Sequence, residues 1–169
     1  NDVNVNGSLN MLVASRDSGV RRLVYSSSSS VYGDTPELPK REDMPARPMS
    51  PYAVGKLAGE YYTRTFCQLY GLETVCLRYF NVFGPRQDPS SQYAAVVPIF
   101  TSKLLVGQAP IIYGDGEQSR DFTYVSSVVD ANVLASEQTG VEGGVFNIAR
   151  GDTITVNELY GRLQGLIGT

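Results

Sequence analysis

Tyr52 and Lys56 stand four residues apart directly after Ser50-Pro51, and the run Ser26-Ser27-Ser28-Ser29-Ser30 lies upstream of them. If Ser50-Pro51 opens a helix, the i and i+4 positions put a phenol and an ammonium on one face about one turn apart. An opposite charge within about 4–6 Å favours the ionised form of a titrating group by roughly 1–3 pKa units, so a lysine so placed helps a phenol give up its proton. Tyr52 is therefore a candidate general base and proton shuttle. Alone, such a pair is weak evidence in a chain with 11 tyrosines. The serine run strengthens it. Arg21-Arg22-Leu23-Val24-Tyr25 reads as a strand whose end is all hydroxyls, and in open α/β sheets ligands bind beyond the carboxyl ends of strands. The alternative is a flexible serine linker, but Val24, Tyr25, Val31 and Tyr32 bracket the run with strand-type residues.

The elements that must hold these groups follow from the periodicity. Val5, Leu9, Leu12 and Val13 suit one face of a helix ending near Gly19, which runs straight into the strand at Leu23–Tyr25. Helix then strand is half of a βαβ crossover, so a first strand is expected before Asn1. Residues 34–50 carry Pro36, Pro39, Pro45 and Pro48 and read as a surface loop. A helix is predicted from Pro51 to about Tyr70, closed by Gly71, and a strand over Glu73–Tyr79 whose polar end continues into Asn81. Beyond Gly84-Pro85 the pattern predicts a polar loop at 87–93, a helix over Val96–Leu105, a short strand Pro110–Tyr113 and a turn at Gly114-Asp115-Gly116. It continues with a strand-like run Arg120–Val125, a helix over Ser127–Ser136 and a buried strand Val145–Ile148. The last helix is Thr155–Ile167, capped by Thr155 with Glu158. The alternation of helices and strands makes the fold class α/β.

Composition narrows the function. The 169 residues are long enough for a substantial core, and 42% hydrophobic with 18% charged is ordinary for a globular domain. A net charge of −3 gives no general attraction to nucleic acid, so an anionic ligand must be held by a few placed groups. With no histidine and two cysteines, Cys67 and Cys76, neither a zinc site nor a disulfide framework is expected, and both read as core thiols of a reducing compartment. No signal peptide or membrane-spanning run is legible, which makes a cytoplasmic location the default.

Ser27-Ser28-Ser29-Ser30-Val31-Tyr32-Gly33, then Ser50-Pro51-Tyr52-x-x-x-Lys56, Leu77-Arg78-Tyr79-Phe80-Asn81-Val82-Phe83-Gly84-Pro85, Gly114-Asp115-Gly116 and Ser119-Arg120-Asp121-Phe122 together resemble the NAD-dependent epimerase/dehydratase family, the extended short-chain dehydrogenases. Within it the likeness is greatest to UDP-hexose 4-epimerases, especially those handling UDP-N-acetylglucosamine. The resemblance implies bound NAD, a UDP-sugar substrate, and a catalytic set of Ser28, Tyr52 and Lys56. It implies cofactor contacts from Asn4, Ser26, Tyr52, Lys56 and Tyr79, with Lys56 on the nicotinamide ribose. Substrate contacts are implied for Ser28, Ser29, Ser30, Asn81, Ala95, Val96, Tyr113 and Arg120. Which serine acts stays a choice among neighbours. Related dehydratases carry an Asp-Glu pair where Ser29 and Ser30 stand, and serines cannot supply that acid–base chemistry. The alternatives are a helix cap for Asn4, an ion pair with Asp121 or Glu117 for Arg120, and core packing for Ala95, Val96 and Tyr113. A small residue at Ala95 favours an N-acetylated sugar.

The resemblance further implies a truncated Rossmann-like, doubly wound parallel sheet with part of a smaller substrate-binding domain: a partial dinucleotide-binding part at 1–85 and 121–152, and a partial substrate-binding part at 86–120 and 153–169. It implies a homodimer through helices 5–18 and 51–70. No Gly-x-Gly-x-x-Gly loop occurs, so the family's pyrophosphate cradle is expected before Asn1 and the remaining substrate pocket after Thr169. The competing readings are a nucleotide-sugar-binding or dimerisation fragment without turnover, and another extended short-chain enzyme such as a decarboxylase, dehydratase or reductase.

Overall fold

The computed structural model describes residues 1–90 and 95–168, which fall by contact into two compact units: Asn1–Phe80 with Ser126–Ile148, and Asn81–Val125 with Ala149–Thr169. The expected polar loop at 87–93 is irregular through Ser90, and its residues 91–93 lie outside the described set.

The first unit is built on a parallel sheet of three strands, β1 (Arg22–Ser28), β2 (Glu73–Tyr79) and β6 (Val145–Ile148), in the order β1-β2-β6. A π-helical turn, Asp2–Gly7, leads into α1 (Ser8–Asp17), so the single helix expected from residue 5 is in fact two kinds of winding. The long helix α2 (Pro51–Tyr70) starts and stops where the sequence indicates. Ser50 Oγ accepts from Ala53 N, Pro51 occupies the first turn, and Gly71 closes the helix in the left-handed region at φ 70°. Strand alternation divides β2 between two layers. Val75 and Leu77 pack with Ala131 and Ala135 of α4 (Val125–Glu137), while Thr74, Cys76 and Arg78 bond to residues of α2 on the other face. Leu12, Phe66 and Leu72 close a second cluster between α1 and α2.

β6 departs from expectation. It is a strand, but Phe146 is 37% exposed and its neighbours are only partly buried. Among the described residues β6 pairs only with β2, so one edge lacks the cover a central strand would have.

The second unit holds two small pairings. β3 (Asn81–Phe83) runs parallel to β5 (Phe122–Tyr124), and β4 (Ser119–Arg120) runs antiparallel to β7 (Ile154–Thr155). The run expected as one strand over Arg120–Val125 is thus broken at Asp121. That carboxylate turns inward to accept from Arg150 N at 2.9 Å and Gly151 N at 2.7 Å. The strand expected at Pro110–Tyr113 does not form. Ile111 is 72% and Tyr113 80% exposed, and no ladder partner lies alongside them among the described residues. Helices α3 (Val96–Leu105) and α5 (Val156–Ile167) pack through Phe100 and Tyr160, and Thr155 and Glu158 complete a capping box on α5. No described helix is long and apolar enough to cross a membrane.

Candidate active site

Because Ser50-Pro51 fixes the start of α2, Tyr52 lies in its first turn and Lys56 one turn later. Small residues on the same helix let the chain approach it closely. A Cβ at Gly55 would stand 3.2 Å from Asn4 Cβ, and one at Gly59 would stand 2.0 Å from the Tyr25 hydroxyl. The Lys56 ammonium donates to Ser26 O at 3.0 Å and lies 5.7 Å from the centre of the Tyr52 ring and 5.6 Å from that of Tyr25. It is tied to the carboxyl end of β1 by one hydrogen and keeps two for other partners. Burial pulls its pKa down from the usual lysine value, and the same cause pushes the Tyr25 phenol up. Tyr52 is 49% exposed and therefore reachable from solvent.

The serines divide by strand alternation. Ser26 Oγ and the Tyr79 hydroxyl are 3.2 Å apart, and Tyr79 donates onward to Asn132 Oδ1 at 2.9 Å. Ser27 points the other way, to Glu60. Ser28 caps the 3-10 turn Ser29–Tyr32 by accepting from Ser30 N at 3.2 Å, which leaves its own O–H free to donate. Ser30 Oγ, in that turn, is buried and has no partner, an orphaned hydroxyl two residues past Ser28. Ser29 is half-buried in the same turn. The first unit thus gathers Asn4, Ser26, Ser28, Ser29, Ser30, Tyr52, Lys56 and Tyr79 around α2 and the ends of β1 and β2. Asn4 caps no helix: Asn1 and Gly7 hold the capping positions, and Asn4 packs against Gly55.

In the second unit Asn81, Ala95, Val96, Tyr113 and Arg120 all line one cavity of about 480 Å³. Its other walls include Phe83, Phe100 and Ile112. None of Ala95, Val96 and Tyr113 is a core residue, so the packing alternative does not describe them. The ion pair considered for Arg120 is not there either. Asp121 is committed to the 150–151 backbone, Glu117 accepts from Asn157, and among the described residues the guanidinium bonds only to Ser119 O, at 2.8 Å. Asn81 Nδ2 donates to Asp121 O at 2.9 Å, leaving its amide oxygen open.

Several neighbours escaped the sequence reading. Lys103 reaches the cavity wall, and Asn132 holds Tyr79. Glu60 and Arg78 form a buried pair beneath the serines. The last had a legible signal: Glu60 continues the 52, 56 spacing, and Arg78 interrupts the apolar run Val75-Cys76-Leu77.

A family description, NAD dependent epimerase/dehydratase, matches residues 1–149. A putative UDP-glucose 4-epimerase of Methanocaldococcus jannaschii is 42% identical over 99% of this chain and 54% of its own length. Among solved structures, a UDP-N-acetylglucosamine 4-epimerase from Methanobrevibacter ruminantium in complex with UDP-N-acetylmuramic acid superposes with a TM-score of 0.96 at 45% identity. It is covered over 54% of its length, and all of this chain is matched. The Thermus thermophilus UDP-glucose 4-epimerase complex with NAD gives a TM-score of 0.88 at 40% identity, over 99% of this chain and 55% of that one. The chain spans about half the length of the relatives it matches, and other matched proteins carry the names of a decarboxylase and a dehydratase. Matching motifs, a parallel sheet ending in hydroxyls and a tyrosine–lysine helix laid across it have one common source: the chain belongs to the NAD dependent epimerase/dehydratase family.

Proposed function

We propose that the protein is a UDP-hexose 4-epimerase acting with NAD, on UDP-glucose and UDP-galactose or their N-acetylated counterparts. The observation that carries this reading is the placement of Lys56: its ammonium is held on Ser26 O near the carboxyl end of β1, 5.7 Å from the Tyr52 ring. The donor set suits the nicotinamide end of a dinucleotide. Lys56 has hydrogens to give to ribose oxygens, and Ser26, Tyr79 and Asn4 present polar groups around it. What NAD supplies when bound is a reversible hydride acceptor for C4 of the sugar.

The chain's own residues do the proton work. Tyr52 takes the proton from the 4-hydroxyl as C4 is oxidised and returns it after the 4-keto sugar presents its other face. Lys56 stabilises the phenolate that this requires. Ser28, whose hydroxyl is free to donate, shares O4 without adding charge, and Ser29 and Ser30, next in the 3-10 turn, are read as further sugar contacts. Serines at 29 and 30 leave no carboxyl acid–base pair for eliminating water, which weighs against a dehydratase. For the second unit we read the 480 Å³ cavity as a uridine diphosphate pocket, with Arg120 and Asn81 on the diphosphate and Ala95, Val96 and Tyr113 around the uridine and sugar. A small side chain at Ala95 supports an N-acetylated hexose. In this reading 1–85 with 121–152 serve the dinucleotide and 86–120 with 153–169 the substrate. Helices 5–18 and 51–70 mediate a homodimer, which the exposed Met11, Tyr61 and Leu69 support. A monomeric mass by light scattering would remove that last element.

Replacing Tyr52 by Phe should lower turnover of UDP-galactose or UDP-N-acetylgalactosamine by about 10²–10⁴-fold while UDP binding stays unchanged. Retained turnover would take Tyr52 out of the mechanism. A span of about half the relatives' length supports a second reading, that these 169 residues alone bind nucleotide sugar without turning it over. Stoichiometric NAD in the purified chain, or turnover by it, would sink that reading.

A further inference from the structure

Beneath the serine segment lies a cluster of buried polar groups that the proposed chemistry does not use. Glu60, 3% exposed, and Arg78, 6% exposed, form a two-pronged ion pair, Nε to Oε1 at 2.9 Å and Nη2 to Oε2 at 2.8 Å. Glu60 Oε1 also accepts from Ser27 Oγ at 2.5 Å. The remaining arm of Arg78 donates to the Tyr32 hydroxyl at 2.8 Å, with the guanidinium 4.8 Å from the ring centre. Tyr32 donates on to Asn147 Oδ1 at 2.7 Å, and Asn147 Nδ2 donates to Lys40 O at 3.0 Å.

The positions of these tethers matter more than their number. Ser27 lies between Ser26, whose carbonyl holds Lys56, and Ser28, the hydroxyl read as the substrate's partner. Tyr32 closes the 3-10 turn that carries Ser29 and Ser30. Glu60 lies one turn beyond Lys56 on α2. One ion pair therefore grips both ends of the serine segment and the helix bearing the tyrosine and lysine. As a neutral pair it adds no net charge. A buried pair also contributes little net stability over an apolar pair of equal volume, because desolvation offsets the Coulombic gain, whereas it does fix relative geometry. We infer that Glu60 and Arg78 are positioning residues, a buried clamp that holds the Ser26–Tyr32 segment at a set distance from Tyr52 and Lys56.

The inference rests on the proton-transfer role read for Tyr52 and Lys56, and the test separates the two. In the full chain, a Glu60→Met/Arg78→Met double variant replaces the pair by apolar volume. It should still unfold cooperatively, yet amide exchange across Ser27–Gly33 should quicken by about tenfold or more. The epimerase kcat should fall by about tenfold with KM for the UDP-sugar nearly unchanged, the mark of lost positioning and not of lost binding. Arg78→Lys, which keeps the charge but not the two-pronged contact, should fall between. If the double variant does not fold, Ser27→Ala and Tyr32→Phe each remove one tether and leave the pair intact, and each should speed exchange severalfold. Unchanged exchange across Ser27–Gly33 in the folded double variant, or in both single variants, overturns the clamp. An unsubstituted protein with no turnover overturns the reaction instead, and the exchange comparison still decides the clamp.

Discussion

The two units treat their arginines in opposite ways. In the first, the arginine side chains that enter the interior are fully committed. Arg78 is locked to Glu60 and Tyr32, and Arg22 reaches Glu73, Glu142 and the carbonyls of Ala135 and Gln138. Burial alone would lower the Arg78 pKa, but its bonds to Glu60 and Tyr32 outweigh that and hold it above the usual value. In the second unit Arg120 and Lys103 border an apolar cavity and are only lightly held, by Ser119 O and the Gln108 side chain. The difference is what the proposed roles demand. Proton transfer needs groups whose spacing does not drift, so its supports are satisfied internally. Anion binding needs donors not already spent, because a committed donor must first be released.

Breaking the pair from one side should have the largest effect. Glu60→Ala leaves a buried guanidinium uncompensated and should cost about 3–5 kcal/mol by chemical denaturation. A loss below about 1 kcal/mol would mean that the first unit is not rigidly charge-matched. Arg120→Ala should do the reverse, weakening UDP about 10–100-fold by calorimetry, the equivalent of one charge-assisted hydrogen bond, while the melting temperature hardly moves. A loss of stability with UDP binding intact would make Arg120 structural and erase the contrast.

Gly59→Ala sharpens the picture of the first unit. The added methyl would stand 2.0 Å from the Tyr25 hydroxyl on a rigid ring, so α2 must shift, at a cost of about 1–3 kcal/mol. The smallest effect is alkaline. Burial, partly opposed by a hydrogen bond with Thr63, pushes the Cys76 thiol from its ordinary 9.0 up to about 12. Between those values the unfolded chain has lost a proton that the folded chain keeps, so stability falls as pH rises through that window, by at most about 1.4 kcal/mol per pH unit. Urea midpoints at pH 8 and 10 should differ less in Cys76→Ala than in the parent, and equal slopes would deny that this interior is dry.

The candidate acid–base helix was legible because its signals are local. A serine cap, a proline in the first turn, a closing glycine and an i, i+4 pair act within one helix, and local geometry follows from local residues. The capped α5 was legible for the same reason. Pro110–Tyr113 was misread because apolar residues without a ladder partner do not make a strand, and β6 was misjudged as buried because edge or centre is settled by neighbours far along the chain. The same limit hid Asp121. Its role in splitting the Arg120–Val125 run depends on backbone donors at 150 and 151, about 30 residues away.

By itself the sequence determined the order of the main helices and of β1, β2 and β6, the family, and which residue types could move a proton or hold an anion. Those depend on spacing along the chain. Only the tertiary structure decided that Glu60 meets Arg78 across 18 residues, that Lys56 leans on Ser26 across 30, and that five scattered residues wall one cavity. Contacts between distant segments are selected by packing and by the cost of leaving a buried polar group unpaired, and neither is written in any short stretch of residues.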